Sequence, residues 1–226
     1  MSSLWGSLIP LIIGGALVPI QIIVTIMLLR STAGKATTVA WVAGMTTVRL
    51  VQGLVFGLIL GSASAAGSSA AGPGAIVSGL LLVVAIVFLV GAARAILDQP
   101  DDDAPPPKWM AMIERATPST AYLLGVGLLV IGAKFWVFTL GAIATIGAAG
   151  LDQTAAIFTY LVFVVLSESI VLAIVGVAYV VPHRAEAMID RLSGLLARYN
   201  RVIVIVLGLV FGTWFMIKAL NGLGVL

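Results

Sequence analysis

Three ionisable residues stand in the middle of long apolar runs: Arg49, Lys134 and Glu168. A base or acid at the centre of a bilayer costs roughly 2.5–3.5 kcal/mol on insertion scales, so it faces a cavity, a partner or a ligand rather than acyl chains. Two bases against one acid leave a positive charge in excess, which attracts an anion. A guanidinium suits the paired oxygens of a carboxylate, sulfate or phosphate, and a neighbouring carboxylate can neutralise one base or carry a proton. Gln21, Gln52, Ser167 and Ser169 are placed to add uncharged hydrogen-bonding groups; Gln52, three residues past Arg49, shares its helix face. Pro19 cannot donate a backbone hydrogen bond and so frees carbonyls for a ligand or side chain. The expected substrate-binding set is therefore Arg49, Lys134, Glu168, Gln21, Gln52, Pro19, Trp136 and Ser167, with Glu168 also the proton-coupling group. The competing use is a staple between helices two, four and five. Intramembrane ionisable residues are functional by default, which favours the binding site.

The elements that carry these residues are membrane helices. Of 226 residues, 61% are hydrophobic and 9% charged, and the mean hydropathy is +1.20, values outside the range of soluble domains. Six apolar segments are long enough to span a bilayer: about Leu8–Leu29, Thr37–Leu60, Ala75–Ile96, Ser119–Ala148, Ala155–Val181 and Val202–Leu220. Backbone satisfaction in lipid makes them helices. The expected fold is an all-α integral membrane protein, with six helices as two inverted three-helix repeats: 1–97 and 119–226. An acidic, Pro-rich cytoplasmic linker, 98–118, separates them. The amino terminus lacks the basic start of a signal peptide, so the first helix is expected to be retained.

Charges in the flanks set the orientation. Arg30, Lys35, Arg94, Lys108, Arg115, Arg184, Arg191, Arg198 and Arg201 fall in the first, third and fifth connections, and Lys218 alone lies opposite. Both termini are then extracytoplasmic in a multi-pass protein of the cell membrane. The same distribution explains the net charge of +3 without a nucleic-acid partner. With no cysteine and one histidine, thiolate zinc sites, iron–sulfur clusters and His-based metal sites are excluded or disfavoured. Asp101, Asp102 and Asp103 adjoin a proline run and lack the turn and distal acid of a calcium loop, so no metal and no cofactor is expected. Segment 183–200 carries apolar residues at helical spacing beside Arg184, Arg191 and Arg198, as an amphipathic helix on the cytoplasmic leaflet would.

Each half opens with an interrupted helix: Gly14-Gly15-Ala16-Leu17-Val18-Pro19 in the first and Gly132-Ala133-Lys134 in the second. An odd number of helices per half inverts the second against the first, as in transporters built from inverted repeats. Gly53–Gly57 and Gly208–Gly212 match GxxxG, for which internal packing outweighs dimerisation here. Phe135, Trp136, Phe138, Tyr160 and Phe163 could line an apolar cavity for an acyl chain, although packing is the commoner use of such residues. Trp5, Trp109 and Trp214 suit the interfaces.

The segment Gly15 to Pro19-Ile20, through Leu28-Leu29-Arg30-Ser31 and Val42-Ala43-Gly44, resembles the first repeat of the LysE superfamily of small exporters. Met188-Ile189-Asp190-Arg191-Leu192 and Leu195 to Arg201, running into Gly208 to Gly212 and Lys218, are similar to the carboxy-terminal block of its glycopeptidolipid- and sulfolipid-addressing (GAP/Sap) family. At the start of the second repeat those families tend to show Asn-Pro-Lys; here the lysine carries over and the proline break does not. The resemblance implies a bacterial six-helix transporter-like fold that moves an anionic lipid or amphiphile toward the cell envelope, with membrane lipids as partners. The alternatives are an exporter of small, amino-acid-like solutes, an intramembrane lipid-modifying enzyme, and an accessory subunit of lipid synthesis or export machinery, alone or as an oligomer. The enzyme reading lacks a His–carboxylate pair, a metal cluster and a nucleophile elbow.

Overall fold

The computed structural model describes residues 2–65, 73–97, 113, 115–180 and 182–225. Within them the chain is helical throughout, apart from short turns. Helix α1 (Ser2–Ala16) and α2 (Pro19–Arg30) form one pair bent by 45°. Helix α3 (Gly34–Ala65) and α4 (Pro73–Leu97) complete the first half. In the second half, α5 (Pro118–Ile131) and α6 (Ala133–Ala148) bend by 69°. A third pair, α7 (Gln153–Ser167) and α8 (Ser169–Val180), bends by 61°, and α9 (Pro182–Gly222) ends the chain.

Gly34–Leu58 and Arg201–Gly222 are each long and apolar enough to cross a membrane; with every bent pair taken as one span the number rises to five. The third expected segment is a helix whose Leu81–Leu97 is apolar but shorter. The lipid-soluble exterior is plain at Leu54, Leu58, Phe158 and Val165, all more than half exposed. A water-facing domain does not leave so many large apolar side chains uncovered.

Each break has a local cause. Pro19 has no N–H to give the Gly15 carbonyl, and Val18 turns extended (φ −68°, ψ 109°) before Pro19 restarts the helix. At Gly132 (φ −78°, ψ 83°) the backbone leaves helical geometry without a proline. Glu168 (φ −101°, ψ 4°) lies in the sparsely populated bridge region between α7 and α8. The first two interruptions agree with the sequence; the third corrects the expectation of one continuous fifth helix.

A second difference concerns 183–200. It is helical, but it continues without interruption into the last span as the 41-residue α9. Segments 66–72 and 98–112, with the Asp101–Asp103 run and Trp109, lie outside the described residues, as do the side chains of Lys134 and Arg184.

Packing is most extensive between α4 and α9 and between α3 and α5. Small residues allow the close approach. A Cβ built on Gly125 would fall 2.5 Å from the Trp41 carbonyl oxygen, and one on Gly44 would collide with that of Tyr122. A Cβ on Gly208 or Gly212 would fall 2.8 Å from Ala92 or Leu89, so this GxxxG serves an internal contact.

Candidate substrate site

Arg49 rides near the middle of the Gly34–Leu58 span and meets Glu168 at the break between α7 and α8. Its Nε lies 3.1 Å from Glu168 Oε1, and each side chain is 2% exposed. Two further bonds fix this crossing. The Thr46 hydroxyl lies 2.7 Å from Glu168 Oε2, and the Tyr160 hydroxyl donates to the Arg49 backbone carbonyl at 2.5 Å. Thr46, Arg49 and Gln52 recur every three residues, so one face of α3 carries the polar set.

Thr46 Oγ1 also lies 2.9 Å from the Val42 carbonyl. Its single proton can go to the Glu168 carboxylate or back to Val42. In the second case the hydroxyl oxygen is free to accept a proton from a neutral Glu168. The threonine therefore serves both protonation states of the acid.

Several buried polar atoms around this pair have no hydrogen-bond partner among the described residues: both side-chain amide atoms of Gln21, Nη1 of Arg49, Nε2 of Gln52 and Oγ of Ser167. Gln21 and Ser167 are each 1% exposed and Gln52 is 6%. Leaving such a group unsatisfied costs about 1–3 kcal/mol. Their register agrees with a shared depth. Trp41 Nε1 donates to Thr25 Oγ1 at 3.1 Å across α3 and α2. One turn along the antiparallel pair, Gln21 comes level with Met45 and Thr46. Ser167 precedes Glu168 and lies against α1, where a Cβ on Gly15 would be 3.3 Å from its Cβ.

The structure thus brings together Arg49 and Glu168, and buries Gln21, Gln52 and Ser167 beside the two breaks. Pro19 marks the first break. Trp136 is engaged elsewhere: its Nε1 donates to the Leu129 carbonyl at 2.7 Å and lies 3.2 Å from that of Val130, so it caps the open end of α5. Its ring meets Phe56 edge to face at 5.8 Å. Lys134 sits in the first turn of α6, with its side chain outside the described residues. Thr46 was not singled out from the sequence, although its spacing from Arg49 was a readable signal.

On the other side of the α1–α2 break is an apolar cavity of about 120 Å³. It is lined by Gly14, Val18 and Pro19 from the break, Phe135 and Phe138 from α6, and residues of α4 and α9 that include Phe88 and Phe211. Phe138 meets Phe88 and Phe211 edge to face, at 5.8 and 5.6 Å. Phe163 is buried but not part of this lining. Among the described residues no group of acidic, histidine or cysteine side chains is arranged to hold a metal.

Apolar helices broken around a buried ion pair define the class: an all-helical membrane protein with a polar centre inside its bundle. The family follows from comparison of the whole chain. The model for the Sap, sulfolipid-1-addressing protein, family matches residues 8–221, and the chain belongs to that family. At a coarse level this connects it with the addressing or export of lipid. No curated protein and no solved structure gives a significant match.

Proposed function

We propose that this protein carries an anionic lipid or amphiphile across the cell membrane toward the envelope, binding its charged head at the Arg49–Glu168 centre. The observation that carries this reading is the set of buried groups around the pair that have no partner among the described residues: Nη1 of Arg49, Nε2 of Gln21 and Gln52, and Oγ of Ser167. All four can donate to an oxyanion, and in a low-dielectric interior such bonds are strong. Family membership supports a lipid as the cargo.

Glu168 gives the carrier its coupling. As a carboxylate it occupies Arg49; protonated, it leaves the guanidinium charge to the incoming anion and donates to Thr46. Proton and anion then enter the site together without adding net charge to the membrane interior, which removes most of the charge-burial penalty.

Alternating access comes from two halves related by inversion. The helix pairing supports this: α4 on α9 is a contact that such a two-fold maps onto itself, α3 on α5 is answered by α1 on α7, and α3 on α6 by α2 on α8. With Arg30, Lys35, Arg94 and Arg115 cytoplasmic, both termini face outward in a bacterial plasma membrane.

The test is reconstitution of the full chain in proteoliposomes. A labelled sulfated or phosphorylated lipid is expected to leave the leaflet on the acidified side faster than the leaflet on the neutral side, since proton and anion load together. Uptake of amino acids without lipid movement would favour a small-solute exporter, and movement of neither would overturn the carrier.

A further inference from the structure

Gly14 and Gly15 are neighbours on α1 that face different compartments. A Cβ on Gly15 would meet Ser167 of the polar centre at 3.3 Å, whereas one on Gly14 would collide with the Phe138 ring and lie 2.8 Å from Phe211 in the apolar cavity. Two adjacent residues without side chains thin the helix where the cavity and the centre flank it. The polar centre and the cavity thus lie against adjacent faces of one thin stretch of α1, with Ser167 on one side and Phe138 on the other.

We infer that the apolar cavity at the α1–α2 break seats the first carbons of the cargo's acyl chain, and that Gly14, by admitting the Phe138 and Phe211 rings against its backbone, sets the shape of this seat; this rests on the head-site reading above. The lining is chemically suited to hydrocarbon, since every side chain in it is apolar. A comparable dry cavity of roughly 150 Å³ accepts benzene, so this one holds on the order of five carbons. The rest of the chain has an exit. Val87 on α4 and Val204 on α9 both line the cavity and are 43% and 36% exposed, so the cavity reaches the lipid-facing surface at these two residues. An occupant of this chemistry enters sideways from the bilayer, without crossing water.

The experiment uses the full chain in phosphatidylcholine nanodiscs, titrated with inorganic sulfate and with alkyl sulfates of increasing length, empty nanodiscs being subtracted. Referred to free alkyl sulfate in water, affinity is expected to rise about four-fold per methylene over roughly the first five carbons. Gly14→Val pushes the Phe138 ring into the seat, and Val87→Trp, altered only where the cavity reaches the surface, guards against a folding defect in the first variant. Val87→Trp should abolish the dependence on chain length while inorganic sulfate binds within about two-fold of wild type. Sulfate binding with no dependence on chain length in wild type would overturn the seat alone. Failure of wild type to bind sulfate at all would overturn the head site on which it rests.

Discussion

Arg49 Nε lies 3.1 Å from Glu168 Oε1, and this contact joins the centre of a continuous helix to the break of a bent one. Removing one partner strands a buried charge. Arg49→Ala should destabilise the protein by about 3–5 kcal/mol, visible as a lowered thermal midpoint in detergent. The double change Arg49→Met with Glu168→Leu should recover most of that stability and transport nothing. Lipid movement by the double variant at the wild-type rate would reduce the pair to a staple.

Glu168→Gln keeps the size of the side chain and its ability to accept from Thr46 and Arg49, but it cannot exchange a proton. Its lipid movement should lose sensitivity to an imposed pH gradient. A variant as fast and as pH-responsive as wild type would remove Glu168 from coupling.

Close approach of α3 and α5 depends on Gly44 and Gly125, each of which faces backbone of the other helix. Backbone cannot swing aside as a side chain can. Gly44→Val should therefore cost at least about 1–3 kcal/mol and lower the yield of folded protein. Gly57→Ala, which meets nothing within 4 Å, is the control and should leave the melting curve unchanged.

Trp136→Phe removes the donor that caps the Leu129 and Val130 carbonyls at the α5–α6 break while retaining an aromatic ring against Phe56. The expected loss is about 1 kcal/mol or more, because free carbonyls in a membrane interior have no water to turn to. Faster backbone hydrogen exchange confined to residues 129–136 would be its signature.

Much of this centre was legible because lipid punishes charge. Arg49 and Glu168 stood out among apolar neighbours, and Pro19 declared the first break by its missing donor. The break at Glu168 was hidden: Ser167-Glu168-Ser169 contains neither proline nor glycine, and the bend appears only where the carboxylate meets Arg49 and Thr46 from another helix. Trp136 was assigned to the substrate set by position, but its indole satisfies carbonyls released by the bend at Gly132. The polar turn of 183–200 suggested a separate helix because composition changes sharply at Arg201; backbone continuity is indifferent to that change. The division of Gly14 and Gly15 between two compartments depends on tertiary packing and has no local signature.

Arg201 donates from Nε to the Ala95 carbonyl at 2.8 Å and from Nη2 to that of Ile96 at 3.1 Å, near the midpoint of the 41-residue α9. An unbroken helix of that length reaches about 60 Å. Pinned there to the end of α4, one rigid rod serves two surroundings: its apolar arm walls the cavity at Val204 and Phe211, and its other arm carries Arg191 and Arg198 clear of the apolar span.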